Sequence, residues 1–352
     1  MGGDVRPGTV GKASIIDGFA TVHGATLPMK VFRGLPNAAS RAPCALAIGN
    51  FDGVHLGHQA LLAQLRAAAT SMGVDAAVMT FEPHPREFFA LRAGDITRAP
   101  ARIANLRDKL QSLADAGIDR VIVEHFNAPF AALTPEAFVE QVLVAGLQVK
   151  WLLIGEDFCY GAKRAGNIAT LTAAGRVHGF RVVTLPTVAL GTERISSSAV
   201  RAALAAGDFG RTGQLLGHSY CISGHVIHGR KLGRTLGFPT LNLRLPHRRP
   251  ALSGIFVVQV HGLTAHRLPG VASLGVRPTV DDSGRVLLET HVFDFARQCY
   301  GELVQVEFLA KLRDEAKYVD LPTLTAAIAA DARAARSYFE QRRPGRTATD
   351  RI

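Results

Sequence analysis

The chain has 352 residues, of which 47% are hydrophobic and 20% are charged, with a formal net charge of +11. This length predicts two domains, and no apolar run approaches the length of a membrane span, so we expect a soluble protein without a membrane partner. Four widely separated cysteines exclude a disulfide scaffold and a CxxC zinc site, and they fit a reducing cytoplasm. The positive charge suits phosphate-bearing ligands but is scattered, so we do not expect nucleic acid as a partner.

The pattern of apolar residues divides the chain into three parts. Residues 1–28 lack the apolar core of a signal peptide and are predicted to form a poorly ordered N-terminal extension. Residues 29–210 alternate short apolar runs with helical stretches, which predicts a doubly wound α/β domain around a parallel sheet. The predicted strands are 44–49, 75–81, 120–126, 151–155 and 181–186, and the predicted helices are 58–71, 102–116, 134–147 and 167–178.

Residues 211–345 are predicted to form a second, all-β domain. From residue 219 the apolar residues alternate with a period of two, and glycines and prolines separate the runs. Half-buried antiparallel strands closing into a small barrel explain this pattern. A final helix at 321–340 carries apolar residues on one side and is predicted to cover the barrel.

The most informative stretch follows the first predicted strand of the α/β domain. A glycine-punctuated turn leads there into a helix, an arrangement in which backbone N–H groups and the helix dipole bind phosphate. Gly53 is predicted to adopt a positive φ, and Gly57 allows a phosphate to approach the backbone. His55 and His58 lie three residues apart and can face one anion. The candidate nucleotide-binding residues here are Gly49, Phe51, Asp52, Gly53 and Gly57.

A second candidate phosphate-binding stretch lies at residues 194–201. Arg194 and Arg201 supply positive charge, and Ser197 or Ser198 is predicted to cap the helix that follows. Taken alone, the same residues describe an ordinary capped helix with solvated arginines.

Three further polar residues follow predicted strands of the α/β domain. His84, Asn127 and Asp157 each come just after a strand, as His55 does. Because ligands bind at the carboxyl ends of parallel strands, we expect these four residues to line one crevice.

The β domain has its own candidate site at residues 224–242. Glycines and basic residues form a loop suited to phosphate, with Gly229, Arg230, Gly233 and Arg234 as the candidate nucleotide-binding residues. Thr240 and Asn242 lie two apart on a strand, so both offer oxygens to Mg²⁺ from one side. The bare pattern is equally compatible with a glycine-rich β-hairpin.

These motifs together resemble one bacterial enzyme family. The F-D-G-V-H-L-G-H, T-F-E-P-H-P, G-E-D-F-C-Y-G and R-I-S-S-S-A-V-R stretches are similar to FAD synthetase, a member of the nucleotidylyltransferase superfamily. The G-R-T-L-G-F-P-T-L-N, E-T-H, G-V-A-S-L-G-V-R-P-T and L-R-D-E-A-K-Y stretches resemble riboflavin kinase. The resemblance implies a Rossmann-like nucleotidylyltransferase domain followed by a kinase barrel with a C-terminal helix.

The resemblance also implies roles for individual residues. His55, His58 and Arg194 would act on the ATP phosphates during adenylyl transfer, and Glu289 would be the general base of the kinase. Substrates would be bound by His84, Asn127, Asp157, Phe158, Arg277 and Arg313. Riboflavin and ATP would give FMN, FMN and a second ATP would give FAD and pyrophosphate, and Mg²⁺ would assist. Ser273 stands where the family usually has asparagine.

Two other functions stay open at this point. The first domain could transfer a nucleotide to a different phosphorylated metabolite, or the chain could be a binding protein that holds flavin or RNA without catalysis. A weak homo-oligomer is also left open.

Overall fold

The structure, a computed structural model, describes residues 29–186, 188–191, 193–229, 236–276 and 286–342. They form two compact units, of which the first comprises residues 29–51, 58–99 and 112–186. The second comprises residues 52–57, 100–111 and the described residues from 188 onwards. The predicted extension at 1–28 lies outside the described residues. The domain boundary expected near residue 210 stays a prediction.

The first unit is built on a six-stranded parallel sheet, as the apolar runs predicted. Its strands in chain order are β1 Lys30–Arg33, β2 Cys44–Ile48, β3 Asp75–Glu82, β4 Arg120–His125, β5 Val149–Gly155 and β6 Arg181–Leu185. The spatial order is β1-β4-β3-β2-β5-β6. The sequence analysis missed β1, a four-residue edge strand with only its two central side chains buried.

Helices connect these strands. They are α1 Leu56–Met72, α2 Pro85–Arg92, α3 Leu106–Asp115, α4 Ala128–Ala131, α5 Pro135–Ala137 with its π-helical continuation Phe138–Gly146, and α6 Ile168–His178. Thr134 caps α5 and Asn167 caps α6 through their side-chain oxygens. The prediction that a helix begins at residue 102 was wrong, because Asn105 Oδ1 accepts the Asp108 N–H at 2.9 Å and starts α3 later.

The second unit contains a six-stranded antiparallel barrel. Its strands are β9 Cys221–His225, β10 Leu241–Leu245, β11 Gly254–His261, β12 Leu268–Val276, β13 Val286–Val292 and β14 Leu303–Arg313. Neighbouring strands follow the order β10-β13-β12-β11-β14-β9. The Ile227 N–H donates to the Asn242 carbonyl at 2.9 Å, which joins the two edges of the sheet. The barrel predicted from period-two alternation is therefore confirmed.

Helices and a small hairpin complete the second unit: β7 Ala189–Leu190, β8 Glu193–Arg194, α7 Ser197–Ala206, α8 Phe209–Leu216 and α9 Leu321–Gln341. Phe256 and Phe308 fill the barrel core. Ala332 and Ala335 of α9 pack on the outer face of the barrel. The predicted caps of α7 were wrong, because extended Ser196, not Ser197 or Ser198, accepts the Ala199 N–H.

Among the described residues, no helix is both long enough and apolar enough to cross a membrane.

Replacement of Gly161 by alanine should destabilise the first unit more than replacement of Gly73. Both glycines have positive φ, +71° and +63°, but a Cβ at Gly161 would lie 2.8 Å from the Pro135 nitrogen, whereas Gly73 has nothing within 4 Å. We expect Gly73→Ala to lower the free energy of unfolding by about 1 kcal/mol and Gly161→Ala by about 1–3 kcal/mol more. Urea denaturation measures both, and equal losses would contradict the close contact.

Candidate active sites

Phe51 fixes the start of the loop after β2. The Gly49 N–H donates to the Met79 carbonyl at 3.1 Å. Phe51 is buried with a φ of +46°, and its ring lies 5.1 Å from the His58 ring, centroid to centroid. A Cβ on Gly49 would lie 3.2 Å from the Phe51 ring, so a glycine keeps this approach open.

Asp52 is a buried, ionised carboxylate with several partners. It accepts hydrogen bonds from the N–H groups of Ile103 and Ala104, each at 3.1 Å, and from Arg201 Nη2 at 2.7 Å. Burial alone would raise the pKa of Asp52, but the charges of Arg201 and Arg102 and the Ala104 N–H together hold it below its usual range. The carboxylate therefore anchors the backbone at 103–104.

His55 is buried and uncharged at neutral pH. Burial lowers its pKa from 6.5 to about 4; Asp52 opposes this shift, and Arg201 and Arg194 add to it. A Cβ at Gly57 would lie 3.2 Å from His55 Nδ1, so Gly57 leaves room for the imidazole. In the absence of ligand, His55 is therefore a neutral group that can offer a phosphate a hydrogen-bond donor.

The glycine prediction for this loop is confirmed at Gly53. Its φ is +86°, and a Cβ would lie 2.7 Å from Ile103 Cγ2. Ser197 Oγ donates to the Asp52 carbonyl at 3.2 Å, while Ser198 is exposed on the first turn of α7. Arg194 is exposed on β8.

Arg201 already has two protein partners. Besides its bond to Asp52, its Nε donates to the Ala101 carbonyl at 2.6 Å. The guanidinium predicted to supply charge to a nucleotide is thus held by the protein, and a direct nucleotide contact of Arg201 stays a prediction.

The carboxyl edge of the parallel sheet carries three of the predicted residues. His84 Nδ1 accepts the Arg86 N–H and caps α2, and Asn127 Oδ1 accepts the Phe130 N–H and caps α4. Asp157 is exposed after β5, and the Phe158 ring stacks on Tyr160 at 5.9 Å. His55 belongs to the second unit, so the single crevice for all four predicted residues stays a prediction.

An aromatic cluster at the same edge was missed by the sequence analysis. Neighbouring rings lie 5.3–5.9 Å apart, centroid to centroid, and Phe89 is 53% exposed. The members are Phe81, Phe88, Phe89, Phe126 and Phe130. The signal for it was the recurrence of phenylalanine at and just after the ends of β3 and β4. Such a surface suits a flat aromatic ligand.

The barrel aligns the residues predicted for the second site. Asn242 of β10 is paired in register with Glu289 of β13, and Glu289 is paired with Ser273 of β12. Their side chains therefore lie on one face of the sheet. Leu241 points into the core, as expected. Asn242 Oδ1 is buried without a hydrogen-bond partner, and Gly229 packs against the Asn242 amide so closely that a Cβ would clash with Nδ2.

Arg313 lies at the end of β14 with its guanidinium already paired. It binds Asp331 of α9 through two hydrogen bonds, of 2.8 and 2.6 Å. Its predicted contact with substrate stays a prediction. The predicted Arg230, Gly233, Arg234 and Arg277 lie outside the described residues.

Comparisons with known proteins match both halves of the chain. Residues 37–199 match the FAD synthetase family and residues 216–339 match the riboflavin kinase family. The chain belongs to the bifunctional riboflavin kinase/FMN adenylyltransferase family. Family membership gives it both activities, so the reading as a binding protein without catalysis is not supported.

Its relatives are similar over nearly their whole length. The Haemophilus influenzae bifunctional riboflavin kinase/FMN adenylyltransferase is 45% identical over 88% of this chain and 99% of its own. The Escherichia coli K12 protein of the same name is 44% identical over 90% and 100%. A crystal structure from Streptococcus pneumoniae, named as a macrolide-efflux protein, is 27% identical with a TM-score of 0.64 and covers 86% of this chain and 95% of its own.

Lowering the pH should reduce the free energy of unfolding of the second unit, in part because His247 becomes protonated on unfolding. Burial lowers the pKa of His247 from 6.5 to about 4, with Arg102 adding to the shift and Asp52 opposing it. Between these pH values the unfolded chain binds more protons than the folded one, so the free energy of unfolding falls as the pH falls from 6.5 to 4.

His247→Leu should therefore lose less stability than wild type between pH 7 and pH 5. Urea denaturation at the two pH values measures this loss. His178→Leu, at an exposed position of α6, controls for the loss of an imidazole. Equal losses in His247→Leu and wild type would contradict the buried, neutral histidine.

Proposed function

We propose that the loop at 49–58 and the start of α7 bind the ATP phosphates for FMN adenylylation. An oxygen of the FMN phosphate attacks the α-phosphorus of ATP, the bond to the β-phosphate oxygen breaks, and pyrophosphate leaves. The attacking phosphate is already ionised, so the protein needs to align the reactants and stabilise charge rather than remove a proton. The observation that carries this proposal is the buried, neutral His55 beside Gly57, together with His58 on the same helix start.

Within this site each group has a distinct task. His55 donates a neutral hydrogen bond, and the exposed Arg194 adds positive charge. Ser198 and the N–H groups of the first turn of α7 offer further donors. In the first unit, taken by itself, we propose that His84, Asn127 and Asp157 at the carboxyl edge of the sheet bind substrate.

We propose that the phenylalanine cluster binds the isoalloxazine ring of FMN. Phe89 is exposed and in edge contact with Phe88 and Phe126. A flat flavin gains apolar burial and edge-to-face contacts from such a surface. Phe158 on Tyr160 is a second stacking surface, beside Asp157.

The barrel is the proposed site of riboflavin phosphorylation. Glu289 acts as the base that takes the proton of the riboflavin 5′-hydroxyl, because an alcohol is a weak nucleophile near neutral pH. The oxygen then attacks the γ-phosphorus of ATP, and ADP leaves. Gly229 allows the loop backbone to approach Asn242 closely, and the register places Asn242 beside Glu289.

The residues present fit a magnesium ion. Asn242 Oδ1 is a buried oxygen without a partner, and Thr240 lies two residues before it. When bound, Mg²⁺ would neutralise charge on the ATP phosphates. Among the described residues no group of three His, Cys, Asp or Glu could hold a metal, so neutral oxygens and the phosphates themselves would be its ligands.

We also propose a cytoplasmic enzyme whose partners are riboflavin, FMN and ATP. Four free cysteines support this compartment. Neither nucleic acid nor membrane is a partner in this proposal, and self-association would be weak.

Single substitutions should slow one of the two reactions strongly and leave the other. His58→Ala should lower FAD formation by about 10²-fold or more because a phosphate contact is lost, while FMN still forms from riboflavin. Glu289→Gln should lower FMN formation by about 10²–10⁴-fold because the base is lost, while added FMN still becomes FAD. Chromatography of the flavins over time measures both. Loss of both activities in either variant would contradict two separate sites.

Asn242→Ala should raise the Mg²⁺ concentration needed for half-maximal kinase rate by about tenfold or more, because one metal ligand is lost. FAD formation from FMN should keep the wild-type Mg²⁺ dependence. Arg244→Ala, at the exposed position two residues further along β10, is the matched control. An unchanged Mg²⁺ dependence of the Asn242→Ala kinase would contradict the proposed ligand.

A further inference from the structure

Residues 101–104 form a short segment before α3, here called the strap, that is hydrogen-bonded at each of its residues within the second unit. On one side it is held by the loop at 52–57 and by α7. The Ile103 and Ala104 N–H groups donate to the Asp52 carboxylate, and the Ala101 carbonyl accepts from Arg201 Nε. Because Arg201 also binds Asp52, the three elements form one network.

On the other side the strap is held by the barrel and its loops. The Arg102 N–H donates to the Arg249 carbonyl at 2.7 Å, and the Ala251 N–H donates to the Arg102 carbonyl at 3.0 Å. The Tyr220 hydroxyl, fully buried, donates to the Ile103 carbonyl at 2.8 Å. The strap is thus hydrogen-bonded to the barrel and to the Asp52 carboxylate at the same time.

The position of Asp52 controls the residues that follow it. A Cβ at Gly53 would clash with Ile103, so the loop already lies in tight contact with the strap. Ser197 Oγ donates to the Asp52 carbonyl and fixes the start of α7 against the same point. His55 comes only three residues later. A shift of the strap would therefore move His55 and the first turn of α7, the two groups that we propose bind the ATP phosphates.

We propose that Asp52 and Arg201 are positioning residues for adenylyl transfer and that Tyr220, from the kinase barrel, acts on the same reaction through the strap. In this proposal the Arg201 guanidinium binds Asp52 and Ala101 and does not contact ATP. The inference rests on the proposed function of the loop at 49–58 as the phosphate site. Alignment of the reacting phosphates, rather than affinity for ATP, is what the network provides.

Steady-state kinetics of FAD formation from FMN and ATP tests this. Asp52→Asn and Arg201→Gln should each lower kcat by about tenfold or more while KM for ATP stays within about threefold, since a lost positioning contact affects the transition state rather than ground-state binding. The double variant should be no slower than the slower single variant, because both changes break the same network. A large rise in KM for ATP in Arg201→Gln with near-normal Asp52→Asn would overturn the proposal and make Arg201 a nucleotide ligand.

Tyr220→Phe tests whether the hydrogen bond from the Tyr220 hydroxyl to the strap contributes to adenylyl transfer. It removes one hydroxyl and should lower kcat of FAD formation by about threefold to tenfold with KM for ATP unchanged. Riboflavin phosphorylation by the same preparation reports whether the barrel is folded, and it should be retained. Tyr338→Phe on α9 is the matched control and should match wild type in both reactions. Wild-type FAD formation by Tyr220→Phe would overturn the role of the barrel.

His58→Ala distinguishes failure of this inference from failure of the proposed site. If His58→Ala loses FAD formation while Asp52→Asn and Arg201→Gln keep it, only the positioning role is wrong. If His58→Ala also keeps full FAD formation, the phosphate site itself is wrong and the positioning role falls with it.

Discussion

A buried carboxylate constrains the loop at 52–57, the segment at 101–104 and the start of α7. Asp52 is only 1% exposed, and a charge in such a place is stable only with an opposite charge and saturated hydrogen bonds. The fold meets this requirement with Arg201 from α7 and two N–H groups of the segment at 101–104. Once these partners are fixed, so are the turn at Gly53, the place of His55 and the start of α7. The first consequence is a loop with little freedom to move.

Adenylyl transfer and riboflavin phosphorylation need different chemistry, and the residues proposed for the two reactions differ accordingly. A phosphate nucleophile arrives ionised, so adenylyl transfer needs rigid donors, and the neutral His55 is the one we propose. An alcohol nucleophile needs a base, for which we propose Glu289. It lies in register beside Asn242, whose Oδ1 is buried without a hydrogen-bond partner. A flexible loop would serve the first reaction poorly, and the hydrogen bonds of Asp52 to residues 103–104, Ser197 and Arg201 limit the freedom of this loop.

Local patterns explain how much could be predicted. Buried parallel strands are continuous apolar runs in the sequence, and Thr134 before a proline is a typical helix start, which the structure confirms. The period of two also placed Leu241 and Asn242 on opposite faces of their strand. The positive φ of Gly53 followed from the turn that it occupies. The family resemblance supplied the roles of these residues, which the patterns alone left open.

Contacts between distant parts of the chain could not be predicted in this way. Asp52 and Arg201 are separated by 149 residues, and nothing in the spacing of either motif shows that they pair. Arg313 was likewise predicted to bind substrate, and its hydrogen bond to Asp331 of α9 could not be predicted from the sequence around it. The late start of α3 has a different, local origin, because Asn105 accepts the Asp108 N–H and begins the helix there.

The Asp52 carboxylate holds the segment at 101–104 through the Ile103 and Ala104 amides, and amide hydrogen exchange measures this contact directly. In wild type the Ile103 and Ala104 amides should be protected, and in Asp52→Ala both should exchange at least about tenfold faster while amides in the core of β11 keep their protection. Retained kinase activity would show that the variant is folded. Unchanged exchange at Ile103 and Ala104 in a folded Asp52→Ala protein would contradict the account.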